Sequence, residues 1–115
     1  MTEKCVLVVD NDLVVLEAIA LLIGHLGHVA KIASSGKDAL RKVDSGDKFS
    51  LVLLDFKMPG MDGHALAHEI KARCPALPIV LVTGLLLDKG SPDIACVLNK
   101  PFSLNDLGAV IARLA

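Results

Sequence analysis

Leu51-Val52-Leu53-Leu54-Asp55-Phe56-Lys57-Met58-Pro59-Gly60-Met61-Asp62-Gly63 is the stretch that decides the fold. Four consecutive apolar residues predict a short strand buried on both faces, the kind found inside parallel sheets. The run stops on a carboxylate, and Pro59, Gly60 and Gly63 mark a loop beyond it. A carboxylate at the carboxyl end of such a strand sits where open α/β sheets bind ligands. Alone, Asp55 reads equally as a turn residue; the rest of the chain separates the two readings.

Cys5-Val6-Leu7-Val8-Val9 is a second apolar, β-branched run, and it too ends in acid, Asp10-Asn11-Asp12. Leu13, Leu16, Ile19, Ala20 and Ile23 then recur at helical spacing, with Asp12 as N-cap and Gly24 or Gly27 near the end. Val29 to Ala33 predicts a strand. Ser34-Ser35-Gly36 turns the chain and caps a helix over 37–43 that Gly46 terminates. A helix over 64–73 follows the Pro/Gly loop, with Leu66, Ala67 and Ile70 inward. Ile79-Val80-Leu81-Val82 is another buried strand, ending in Thr83-Gly84. From 85 to 95 the pattern is weak: Leu85, Leu86 and Leu87 can start a short helix, which Gly90, Ser91 and Pro92 break. Cys96-Val97-Leu98 is a last strand before Asn99-Lys100-Pro101-Phe102, and Ser103 with Asp106 caps a final helix from Leu104 to about Leu114. Five strands alternating with helices imply right-handed crossovers and a parallel sheet covered on both faces.

The 115 residues suit one domain spanning 1–115, without internal repeat or linker. Apolar residues make up 53% of the chain with no Trp or Tyr and three Phe, so the core is aliphatic. A net charge of −1 argues against a nucleic-acid or anionic-membrane surface. No apolar run approaches the roughly 18 residues of a membrane span, and the start lacks a signal peptide's apolar region. Cys5, Cys74 and Cys96 form no Cys-x-x-Cys pair and read as reduced, mostly buried thiols of a cytoplasmic protein.

Four of the five strands end in a reactive polar group: Asp10 with Asn11 and Asp12, then Asp55, Thr83 and Lys100. A parallel sheet brings all four ends to one edge. Clustered carboxylates repel unless a cation lies among them, and hard oxygen donors suit Mg²⁺. A carboxylate can act as a nucleophile toward phosphorus. Attack on an anionic phosphoryl group needs compensating charge from metal and Lys, and a Thr hydroxyl can donate to a phosphoryl oxygen. The set is complete for metal-assisted phosphoryl transfer onto an aspartate.

Val8-Val9-Asp10-Asn11-Asp12, the run from Leu53 to Gly63, Val82-Thr83-Gly84 and Lys100-Pro101-Phe102 together resemble the receiver domain of bacterial two-component response regulators, over essentially the whole chain. The resemblance implies a flavodoxin-like α/β fold with strand order 2-1-3-4-5. It implies Asp55 as phosphoacceptor, and Mg²⁺ held by Asp10, Asn11, Asp12, Asp55 and the backbone carbonyl of Lys57. Thr83 would sense the phosphoryl group, Lys100 would pair with it, and the Lys-Pro bond would be cis. The phosphodonor would be a histidine kinase or histidine phosphotransfer protein, docking partly on the first helix. Such a domain is not a conventional enzyme, although it supports its own Mg²⁺-dependent phosphorylation and slow dephosphorylation.

Three departures qualify the expectation. The family usually has a second acid where Asn11 stands, so weaker metal binding is expected, with Asp12 as a substitute. Val97 replaces the usual aromatic residue, leaving no ring to swing on phosphorylation. The short interval from Thr83 to Lys100 implies a short, irregular or absent fourth helix, so the usual dimer through helix 4, strand 5 and helix 5 is not expected. Leu85, where a polar group often stands near the attacking water, predicts slow hydrolysis. No output domain follows Ala115, so the chain reads as a stand-alone receiver, or as one excised from a hybrid histidine kinase or longer regulator. The rival reading is a pseudo-receiver, an interaction module that accepts no phosphate. A phosphatase of similar topology fits poorly, because Lys57 occupies its second acid position. His64 and His68, four apart, read as solvent-facing, as do His25 and His28; Met58 and Met61 read as loop packing.

Overall fold

Each all-apolar run becomes a strand because its neighbours cover both of its faces. The computed structural model describes residues 3–58, 61–84 and 91–115, with the backbone alone for 57, 58, 61 and 62. In chain order the elements are β1 (Cys5–Val9), α1 (Leu13–His25), β2 (Val29–Ala33), α2 (Gly36–Asp44), β3 (Leu51–Asp55), β4 (Lys57–Met58), β5 (Met61–Asp62), α3 (Gly63–Arg73), β6 (Ile79–Thr83), β7 (Cys96–Asn99) and α4 (Leu104–Leu114). The main sheet is wholly parallel and ordered β2-β1-β3-β6-β7, which is the flavodoxin-like 2-1-3-4-5 order when its own strands alone are counted. β4 and β5 pair antiparallel as a two-residue ribbon, Lys57 opposite Asp62 and Met58 opposite Met61; the sequence suggested only a loop there.

Alternation along each strand divides the core in two. Leu7, Val9, Val52, Leu54, Ile79 and Leu81 meet Ala39 and Val43 of α2 and Leu66, Ala67 and Ile70 of α3. Val6, Val8, Leu51, Leu53, Val80 and Val82 meet Leu16, Ile19 and Ile23 of α1 and Leu107, Val110 and Ile111 of α4.

The helix ends follow local chemistry. The Asp12 carboxylate accepts from the Val14 and Val15 amides, and Ser35 Oγ from the Asp38 amide. Ser103 and Asp106 form a reciprocal capping box. Gly27 and Gly46, at φ +87° and +93°, make the left-handed turns that follow α1 and α2. Leu13, assigned inward by spacing, is 57% exposed. It is the first residue of α1, and periodicity cannot separate the end of a buried stripe from the residue just beyond it. The three cysteines are free and half-buried.

Between β6 and β7, residues 91–95 form turns and no helix. Ile94 is buried, and Ala95 N–H donates to Ile79 O at 2.8 Å, fixing the entry to β7. The helical start assigned to Leu85–Leu87, and the effect assigned to Leu85 itself, lie outside the described residues. So do Pro59, Gly60 and the side chains of Met58 and Met61.

Candidate functional site at the carboxyl edge of the sheet

Asp10 follows the last residue of β1 and is only 4% exposed. Its N–H donates to Ala33 O at 3.1 Å, and its Oδ1 accepts the Asp12 N–H at 2.9 Å. Asp55 is the last residue of β3. It lies in register with Val82, so Thr83 stands one step further along the adjacent strand. Lys100 comes immediately after β7, and its backbone N–H donates to Thr83 O at 2.7 Å. Its ammonium lies 3.3 Å from Asp55 Oδ1 and 3.7 Å from Asp10 Oδ2. The Lys100–Pro101 peptide is cis. The edge therefore brings Asp10, Asp55 and Lys100 into direct contact, with Thr83, itself 4% exposed, beside them.

The remaining predicted residues are placed differently. Asn11 and Asp12 are exposed at the rim. Asp12 has a structural task, since its Oδ1 caps α1 at 3.0 Å from the Val14 nitrogen. Lys57 lies in β4, two residues past Asp55.

Burial raises the Asp55 pKa above the usual aspartate value, and the neighbouring Asp10 charge raises it further; Lys100 and the Phe56 amide act against them. A raised carboxylate pKa means the folded state takes up this proton before the unfolded state does. Ionised Asp55 therefore destabilises the fold above its folded pKa, and that contribution fades as pH falls to the unfolded value, about 3.9. Asp55→Asn should raise stability at pH 7 by about 1 kcal/mol, the usual scale of one substitution. Urea unfolding at pH 7 and pH 4 should show the gain shrinking at the lower pH; a variant less stable than the native chain at pH 7 contradicts the electrostatic account.

One residue beside the site was missed. His68 is exposed as expected, its Nδ1 3.2 Å from Asp93 Oδ2. His64 is half-buried instead, its ring edge-on to Phe56 with centroids 5.6 Å apart, and its buried Nδ1 has no hydrogen-bond partner among the described residues. Gly63 explains this placement. Its N–H donates to Phe56 O at 3.1 Å, and a Cβ there would lie 3.1 Å from Phe56 Cα. The first turn of α3 thus lies directly on the residue after Asp55, and His64 is carried inward. The glycine opening the helix was the available signal; the His-x-x-x-His spacing pointed the other way. His28 is also half-buried, with Nδ1 accepting the Lys4 N–H at 3.0 Å.

Two carboxylates held together in a partly buried edge, with hard oxygens and only partial compensation from an ammonium, suit a hard divalent cation. Among the described residues no three His, Cys, Asp or Glu side chains gather as a metal cluster. Further donors would therefore come from the Asn11 amide, backbone carbonyls or water.

A doubly wound parallel sheet with an acid pair and a lysine at its carboxyl edge defines a flavodoxin-like domain with a polar edge site. Residues 6–112 match the family described as response regulator receiver domain, and the chain belongs to that family. It is 38% identical over 120 residues to response regulator protein FleR of Pseudomonas aeruginosa, covering 96% of this chain and 24% of that protein. It is 34% identical over 118 residues to sensor histidine kinase RcsC of Salmonella typhi, covering 98% of this chain and 12% of that one. Among solved structures it superposes on response regulator TrrA of Thermotoga maritima, in complex with Mg²⁺-BeF, at a TM-score of 0.88. Sequence identity there is 28%, with 97% of this chain and 99% of that one covered. The chain thus spans about a quarter of FleR and about an eighth of RcsC. No helix among the described residues is long and apolar enough to cross a membrane.

Proposed function

We propose that this chain, as a single receiver domain over 1–115, accepts a phosphoryl group from a phosphohistidine onto Asp55 in a Mg²⁺-dependent step. The observation that carries the reading is the Lys100 ammonium set 3.3 Å from Asp55 and 3.7 Å from Asp10 at the carboxyl edge. An Asp55 carboxylate oxygen forms the new O–P bond as the N–P bond of the donor breaks, and the released imidazole takes a proton. Lys100 compensates charge on the transferring group, and Thr83 lines the same edge. Asp10, Asn11, Asp55 and the Lys57 carbonyl would hold Mg²⁺, with Asp12 beside them, and the ion would supply the remaining positive charge. Asp12 caps α1 with its carboxylate and donates its backbone N–H to Asp10 Oδ1. The donor is a histidine kinase or histidine phosphotransfer protein of the cytoplasm. The interval from Thr83 to Lys100 is short, which argues against the usual dimer through helix 4, strand 5 and helix 5.

Intact mass after incubation with a small phosphodonor tests this. The expected result is one phosphoryl group gained with Mg²⁺ and none in Asp55→Asn. No gain in the native chain under any condition would make it a phosphorylation-independent interaction module.

The donor's docking face has its own test. Val14, Ala18, Leu22, Pro101 and Phe102 line a shallow apolar groove that opens beside Lys100. Ala18→Glu places a charge in that groove away from the reacting atoms. Uptake from a small donor should stay near the native rate, while uptake from a phosphohistidine protein should slow by about tenfold or more, as a buried unpaired charge implies. Equal slowing with both donors would place the defect in the site itself.

A further inference from the structure

α1 is apolar on the side that faces solvent as well as on the side that faces the sheet. Its inner residues Leu16, Ile19 and Ile23 are buried in the core. On its outer side Leu13, Val14 and Leu21 are 57%, 74% and 75% exposed, three of the four large exposed hydrophobic residues among those described. The outer sides of α2 and α3 are built differently. Lys37, Arg41 and Asp44 stand on one and His68, Glu69 and Arg73 on the other, and Arg73 pairs with both Asp44 and Glu69. A helix apolar all round belongs in an interior, so α1 has the composition of a helix covered on both sides. We propose that the outer face of α1 docks on the same face of a second copy of this chain, antiparallel about a two-fold axis at Leu21, and that this pairing covers the groove used by a phosphohistidine donor. The pairing stands on the face itself; its effect on donor access rests on the phosphotransfer reading above.

A second copy fits because the face complements itself. Glu17, Leu21 and His25 recur every fourth residue and form one row along the helix. Glu17 and His25 are the only ionisable residues of α1, and both are exposed. Neither side chain has a hydrogen-bond or ion-pair partner among the described residues. They lie one turn to either side of Leu21, so a two-fold axis there sets the Glu17 carboxylate of each copy opposite the His25 imidazole of the other. An imidazole N–H can donate to that carboxylate in either protonation state. The adjoining row, Val14, Ala18 and Leu22, forms with Pro101 and Phe102 the apolar groove beside Lys100. The projecting Leu21 and this groove therefore stand side by side, and a two-fold contact fills the groove of each copy with the row of the other. Ala18 and Gly24 are small enough for the helices to approach closely. A net charge of −1 adds little repulsion between copies. One helix of 13 residues per copy makes a small interface, so the pairing is weak and reversible. It limits how many copies can receive a protein donor at high local concentration, while small donors still reach Asp55.

Sedimentation equilibrium from micromolar to millimolar concentration tests the pairing without any phosphodonor. The native chain should pass from monomer to dimer. Leu21→Glu alters an exposed side chain, so the fold should persist by circular dichroism while association weakens by about tenfold or more. Glu17→Lys and His25→Glu should each weaken association. An equimolar mixture of those two variants should associate more tightly than either alone, since the mixed pair keeps one native contact and sets opposite charges across the other. A native chain that stays monomeric throughout overturns the inference and leaves the face to the donor alone, with the phosphoacceptor reading intact. Association unchanged in Leu21→Glu, or a mixture no tighter than its components, overturns the pairing as placed. For donor access, transfer from a phosphohistidine protein should slow per receiver as receiver concentration rises through the association curve, and uptake from a small donor should not. Transfer from the protein donor that is independent of receiver concentration overturns the effect on access. No uptake from either donor by a chain that still dimerises overturns the phosphoacceptor reading and supports the pairing.

Discussion

Lys100→Ala should take up phosphoryl groups from a small donor at least about 100-fold more slowly than the native chain, measured at saturating Mg²⁺ so that metal affinity does not enter. The figure is the usual cost of removing one preorganised group that stabilises developing charge in a partly buried site. Two effects act in the same direction. The transferring phosphoryl group loses the ammonium that offsets its negative charge as it approaches an anionic nucleophile. Asp55 also loses the Lys100 charge and hydrogen bond that hold its pKa down, leaving only the Phe56 amide against burial and the Asp10 charge. The reactive form is the carboxylate, so rate falls as pH drops through the Asp55 pKa, and in Lys100→Ala that acid limb should lie at higher pH than in the native chain. Lys100→Arg keeps the charge with different reach and should recover part of the rate. A pH–rate profile for the three proteins separates the effects: a lower plateau reports lost stabilisation of the transferring group, and a displaced limb reports the carboxylate. An unchanged plateau would mean that the 3.3 Å contact with Asp55 has no part in the transfer.

Much of this arrangement was legible because chemistry and topology coincide. Runs such as Val6–Val9 and Leu51–Leu54 are apolar at every position, which only a strand covered on both faces can bury, and the acids and lysine that close such runs must then share an edge. Ser35, Ser103 with Asp106, and Gly46 acted where local rules placed them. What escaped was decided by contacts between elements. His64 followed the surface spacing of His68, yet the close approach of Gly63 to Phe56 turned it inward. Asp12 was read from sequence both as a helix cap and as a metal ligand; the structure shows the cap, its Oδ1 on the Val14 and Val15 amides. The β4–β5 ribbon is two residues long on each side, too short for any alternation to reveal it. The order of the strands came with the family resemblance, since βαβ periodicity permits several orders.

Leu81 joins the sheet to the site, and its truncation should produce the largest loss of stability. The side chain is fully buried in β6, paired in register with Leu54 on one side and Val97 on the other. Its Cδ1 would lie 3.0 Å from a Cβ built on Gly63, so it also supports the start of α3. Leu81→Ala removes buried methyl groups and leaves a cavity that parallel strands cannot easily close, at a cost of about 2–5 kcal/mol against a total stability on the order of 5–15 kcal/mol. With no Trp or Tyr in the chain, far-ultraviolet circular dichroism in urea is the suitable probe, and the midpoint should fall at unchanged slope. A cost under about 1 kcal/mol would mean that the two layers collapse onto the vacancy. The Gly63→Ala change supplies the second side of the cycle. In the native chain its methyl group meets Leu81 Cδ1 at 3.0 Å and the Phe56 backbone at 3.1 and 3.2 Å. Truncating Leu81 relieves the first contact and leaves the other two, so the double variant should be less destabilised than the sum of the single ones, yet less stable than Leu81→Ala alone. Strict additivity would show that the start of α3 does not rest on Leu81, and that the position of Phe56, and with it Asp55, is fixed by the backbone contact alone.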